Sequence, residues 1–97
     1  MARLVYSENA LGNIERAFKF LAQHDPNIAT EAVVAIRDGV EILRDHPFIG
    51  RRIEGEIREL VISFGRTGYV ALYRYIPLRD LVRILAIRHQ REIGYPE

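Results

Sequence analysis

Near its midpoint the chain changes the period of its apolar residues, and that switch constrains the fold more than any other feature. Leu11, Ile14, Phe18 and Leu21 recur at steps of three and four, as do Ala29, Val33, Ile36, Val40 and Leu43. That spacing predicts two helices that each bury one stripe. From Ile57 onward the apolar residues instead lie in β-branched and aromatic stretches, Ile57 to Phe64, Tyr69 to Ile76 and Leu81 to Arg88. Gly65-Arg66-Thr67-Gly68 and Pro77-Leu78-Arg79-Asp80 separate them, and both gaps have turn composition and hairpin length. Three strands in an antiparallel meander follow.

Local punctuation sets the remaining boundaries. Ala2 to Tyr6 reads as a short strand, Ser7 caps a helix that starts at Glu8 and runs to about Gln23, and Asp25-Pro26 starts the second helix. His46-Pro47 stops it. The predicted architecture is α+β, ordered β-α-α-β-β-β, with the helical hairpin on one face of a small, mainly antiparallel sheet that the first strand joins. Phe18, Ile36, Leu43, Leu60 and Tyr73 are the expected core between hairpin and sheet. The other sheet face is expected to present Arg58, Arg74, Arg83 and Arg88 among tyrosines and aliphatic residues.

At 97 residues, with 48% hydrophobic and 28% charged composition, the chain is expected to be one domain over residues 1–97. It has no cysteine, which removes disulfides and thiolate metal sites and suits a reducing compartment. No apolar run is long enough for a membrane span or a signal-peptide core, so a cytoplasmic protein without membrane contact is expected. No His, Asp or Glu spacing suggests a metal, and no phosphate loop, nucleophile elbow or paired-carboxylate motif suggests a cofactor or a hydrolase.

Charge is distributed unevenly. Residues 1–48 hold five Lys+Arg and seven Asp+Glu, whereas residues 49–97 hold nine Arg and six acids. The excess of arginine in the second half suits planar contact with carboxylate or phosphate. Arg51, Arg52, Arg58, Arg66, Arg88 and Arg91 are candidates for one anion-binding surface, although Glu54, Glu56, Glu59 and Glu92 are interleaved and a solvated mixed surface explains them equally well. His89 lies between Arg88 and Arg91 where the last strand leaves its sheet. A lone strand-end His is by default a hydrogen-bonded surface group, but beside two arginines it is also a candidate for proton transfer. His24 and His46 stand at helix ends and read as structural.

The order of these segments resembles the RelE/ParE superfamily of toxins from type II toxin-antitoxin modules, over nearly the whole chain. The resemblance is carried by the opening strand and helical hairpin, Pro47-Phe48-Ile49-Gly50-Arg51, Ile57-Arg58-Glu59-Leu60, Gly68-Tyr69-Val70-Ala71-Leu72-Tyr73-Arg74, and Leu85-Ala86-Ile87-Arg88-His89-Gln90-Arg91-Glu92. It implies two possible activities. RelE-type members cut mRNA in the ribosomal A site without metal, whereas ParE-type members poison DNA gyrase. RNA-cleaving members commonly carry Arg at the second position after Gly of the G-Y-x-x-x-Y segment, and here that residue is Val70.

The expectation is therefore a ParE-like gyrase inhibitor, with Arg51, Arg52, Arg66, Arg88, His89, Arg91 and the tail to Glu97 as target contacts. In the nuclease alternative, His89 is the general acid, Arg91 and Arg58 act on the phosphate with Arg51 and Arg52, and Glu54 is a candidate base. Tyr95 does not fall at the interval of the late RelE tyrosine. A module that kept the fold without toxicity is the third reading. The implied partners are a cognate antitoxin from the adjacent gene and either gyrase or the ribosome with its mRNA, in a homodimer or a toxin-antitoxin heterotetramer.

Overall fold

A computed structural model describes residues 1–92. Tyr95 and the tail to Glu97, the latter expected as a target contact, lie outside the described residues. Strand β1 (Arg3–Tyr6) leads into helices α1 (Glu8–Ala22) and α2 (Pro26–Glu41), then β2 (Arg51–Glu54), β3 (Ile57–Phe64), β4 (Thr67–Ile76) and β5 (Leu81–His89). The five strands form one sheet in the order β1-β5-β4-β3-β2, with β1 parallel to β5 and the other pairs antiparallel. α1 lies over β5 and α2 over β3.

The helix starts are those the sequence indicates. Ser7 Oγ accepts the Ala10 N–H at 3.0 Å, and Asp25 Oδ1 accepts the Asn27 N–H at 2.9 Å with Pro26 in the first turn. The β3–β4 hairpin turns through Gly65, whose φ of 60° is one that side chains resist.

Between the layers, Ile36, Val40 and Leu43 meet Ile62, Ala71, Tyr73, Val82, Ile84 and Ile87, all buried. Leu60 is half-buried against this cluster. Phe18 is not in the core as expected, since it stays 38% exposed, and Leu11 is 53% exposed. The inward face of α1 is instead Ala10 and Asn13, with Ile14, Ala17 and Leu21 packed beside them. Leu11 and Phe18 follow Ala10 and Ala17 by one residue, about 100° around the helix, and so lie to the side of that face.

Two further departures bear on function. Arg51 and Arg52 lie in a strand outside the predicted architecture, β2, at the sheet edge opposite Glu59 and Arg58. All four residues of β2 are exposed, so R-R-I-E carries no burial alternation to announce it. Tyr73 faces the helices as expected, but Tyr69 and Tyr75 turn to the same side, so the helix-free face carries no tyrosine from β4. Arg58 stands opposite Tyr73 and takes that side as well. The helix-free face keeps Arg51, Arg74, Arg83 and Arg88 among aliphatic residues.

Candidate functional site at the end of the last strand

A bulge in β5 decides which way the late residues point. Leu72 pairs with Ala86 while its neighbour Tyr73 pairs with Ile84, so Leu85 has no partner of its own across β4. Helix α1 holds the irregularity in place. Ser7 Oγ and Asn9 Nδ2 both donate to the Leu85 carbonyl, at 3.0 and 3.1 Å. The buried Asn13 Oδ1 accepts the Ile87 N–H at 2.9 Å. The alternation inverts across the bulge, so Ile87 and His89 face α1 whereas Ala86 and Arg88 face away from the helices. Arg88 and His89, adjacent in sequence, therefore lie on opposite faces of the sheet.

On the helix side His89 packs edge-on against Tyr69, with ring centroids 5.4 Å apart. Its Nδ1 accepts the Arg91 N–H at 3.2 Å, and its Nε2 lies 3.1 Å from Thr67 Oγ1. A backbone N–H can only donate, so the ring proton sits on Nε2 and points to the Thr67 hydroxyl. The imidazole borders a groove of about 470 Å³ whose walls include Asn13, Ala17, Phe20, Phe64 and Tyr69. Burial raises the Tyr69 phenol above its ordinary value, and the nearby Glu92 carboxylate adds to the effect.

On the helix-free face three charged groups meet. Arg51 and Glu59 are cross-strand partners, with Arg51 Nη2 3.0 Å from Glu59 Oε1. Arg88 reaches across β4 to place its Nη2 3.8 Å from Glu59 Oε2. Its stem thereby covers the row that holds Val70, which is only 3% exposed on a face with no helix over it. Arg88 Nη1 also donates to the carbonyls of His89, Gln90 and Glu92, at 3.1 to 3.3 Å, and so fastens the turn that follows β5.

The remaining candidates are dispersed. Arg58 Nη1 donates to the Phe48 and Gly50 carbonyls at 3.1 and 2.9 Å, and its guanidinium lies 5.2 Å from the Phe48 ring centroid. Arg52 Nε donates to the Gly55 carbonyl at 2.9 Å. Arg66 is exposed in the β3–β4 turn, Arg91 is exposed in the turn after β5, and Glu54 ends β2 in solvent. Of the six arginines named from sequence, only Arg51 and Arg88 share a charge partner among the described residues. Glu59 and Tyr73 were not among the candidate site residues. Glu59 becomes conspicuous only once β2 sets Arg51 opposite it. Among the described residues no cluster of His, Asp and Glu could hold a metal ion.

Residues 4–94 match the family model described as the ParE toxin of the type II toxin-antitoxin system parDE. Toxin RelE3 of Caulobacter vibrioides is 40% identical over 74 residues, which span 76% of this chain and 78% of that protein. Toxin RelE2 of the same organism is 29% identical over 89 residues, 92% of this chain and 96% of that one. In fold, the chain is similar to a structure of the chromosomal ParDE system from P. aeruginosa, with a TM-score of 0.76 and 22% identity over 92% of this chain and 96% of that one. It is also similar to a chain of the intact E. coli RelBE toxin-antitoxin complex, with a TM-score of 0.63 and 14% identity over 96% of this chain and 100% of that one.

Proposed function

The chain belongs to the ParE toxin family of type II toxin-antitoxin modules, and from that premise we propose that it arrests growth as a ParE-like inhibitor of DNA gyrase and is neutralised by a cognate antitoxin. Val70 carries the choice of target. Its place is the one where RNA-cleaving members of the superfamily commonly present Arg. A buried aliphatic side chain cannot neutralise the charge that develops on a phosphate during cleavage. Neighbouring groups supply no evident replacement, since Arg88 faces the Glu59 carboxylate and Arg58 is turned to the 48–50 loop. The lone pair of His89 Nδ1 is already taken by a backbone N–H. On this reading Arg51, Arg52, Arg66, Arg88, His89 and Arg91 are contact residues rather than catalysts.

A RelE-like nuclease is the second reading, and the names of the two relatives, Toxin RelE3 and Toxin RelE2, favour it. In that case His89, Arg91 and Arg58 would carry cleavage of ribosome-bound mRNA. The antitoxin is proposed because the P. aeruginosa and E. coli neighbours are named as toxin-antitoxin systems. Its C-terminal segment is expected to wrap this chain with apolar and acidic side chains. Purified protein assayed side by side on gyrase supercoiling and on mRNA in programmed ribosomes separates the readings. Supercoiling loss with intact mRNA is the expected result. Cut mRNA with normal supercoiling overturns it, and activity in neither assay, with no growth arrest on expression, would favour a fold kept without toxicity.

A further inference from the structure

We propose that Glu59 is a built-in counter-ion that keeps the phosphate backbone of single-stranded nucleic acid off the helix-free sheet face. The inference deepens the protein-target reading above and rests on it. Arg51, Glu59 and Arg88 come from β2, β3 and β5, so the sheet itself brings two guanidiniums to one carboxylate. The Glu59 side chain is 11% exposed and that of Arg88 18%, so the carboxylate and one of its cations are partly desolvated, while Arg51, 78% exposed, meets them from the solvent side.

A Glu in the middle of a strand is an unfavourable choice for the sheet, and withdrawing a carboxylate from water costs free energy that its cations only offset. Stability alone is therefore a weak reason for its presence. Guanidiniums that converge from two strands above an aliphatic floor can bind a phosphate by charge-assisted hydrogen bonds. Glu59 fills that position with the chain's own anion. An incoming phosphate has to displace it and then remain beside it, with like charges in contact. Leu72, opposite Glu59 on β4, and Val70 add no cation to tip the balance, and Arg74 on the same strand is engaged by the Glu56 carboxylate at 3.0 Å.

The test measures binding of a short labelled oligouridine RNA by fluorescence anisotropy across a salt series. Glu59→Gln keeps the shape and removes the charge. It is expected to tighten binding about tenfold or more, and to steepen the dependence of log affinity on log salt by roughly 0.7 for each phosphate engaged. Arg88→Ala placed on top of Glu59→Gln should remove the gain. Glu31→Gln on the exposed face of α2 raises net charge by the same unit and should produce none. If Glu59→Gln does not fold, as read by its melting curve, Glu59→Ala is scored by the same criteria. No tightening in the folded variant, or equal tightening by Glu31→Gln, overturns the inference. Gyrase supercoiling measured on the wild-type protein is a separate readout, so failure of the target assignment and failure of the counter-ion role are distinguishable.

Discussion

The Tyr73 hydroxyl illustrates how much one atom organises. It donates to the Pro47 carbonyl at 2.8 Å and accepts the Gly50 N–H at 2.9 Å, so it closes the loop that leads into β2. A Cβ on Gly50 would lie 2.6 Å from that oxygen and 2.6 Å from the Glu59 carbonyl, which is why the loop has no side chain there. Tyr73→Phe should destabilise the protein by about 1–3 kcal/mol, because a buried N–H loses its acceptor, and urea denaturation would report it. An unchanged midpoint would mean that the loop finds another partner. His89 supports a second expectation. If the protein docks rather than cleaves, His89→Gln keeps toxicity, since an amide can still hydrogen-bond Thr67 and Arg91. Cleavage would be abolished, because an amide does not titrate near neutrality. Burial of Tyr73 was legible in the sequence. The task of its hydroxyl was not, because both its partners lie more than twenty residues away along the chain.

At the scale of elements, what was legible and what was not divides by locality. Helix starts at Ser7 and Asp25 and strands β1, β3, β4 and β5 follow from caps, periods and turns that lie within a few residues of each other. Strand β2 and the bulge at Leu85 are consequences of pairing, and no local pattern marks them. Missing the bulge led directly to placing Arg88 and His89 in one cluster. Asn13 shows the price of holding it: Asn13→Ala strips the acceptor from the buried Ile87 N–H and should cost about 1–3 kcal/mol, measurable by denaturation, with loosening of β5 visible as faster hydrogen exchange beyond Leu85. The helix–sheet layer also predicts alkaline behaviour. Burial raises the phenols of Tyr6, Tyr69 and Tyr73 above 10.0, and a hydrogen bond to Asp80 raises Tyr75. The unfolded chain therefore loses these protons first as pH rises past about 10, so the stabilisation is complete below that value and is lost as pH climbs through the raised folded values. Denaturation midpoints that stay flat between about pH 9 and about pH 11 would contradict this assignment.

For the molecule as a whole, the question is what the apolar surface left outside the core is for. Leu11 and Phe20 on α1 are 53% and 63% exposed, and Phe20 stands at the groove beside His89. Neither contributes much to folding, since side chains this open change stability by about 0.5 kcal/mol when replaced. An antitoxin segment that wraps the chain would bury both, and a large aromatic at the edge of an apolar groove is the kind of anchor on which binding energy concentrates. Stability and binding should therefore separate. Phe20→Ser is expected to leave the denaturation midpoint nearly unchanged and to weaken association with the neighbouring gene's product by about tenfold or more, a difference of roughly 1.4 kcal/mol or above. Leu11→Ser should do the same to a smaller degree, because it removes less area. Calorimetric titration of wild type and both variants against that partner decides the point. Full affinity in Phe20→Ser would place the antitoxin elsewhere, with the arginine-bearing sheet face as the next surface to test.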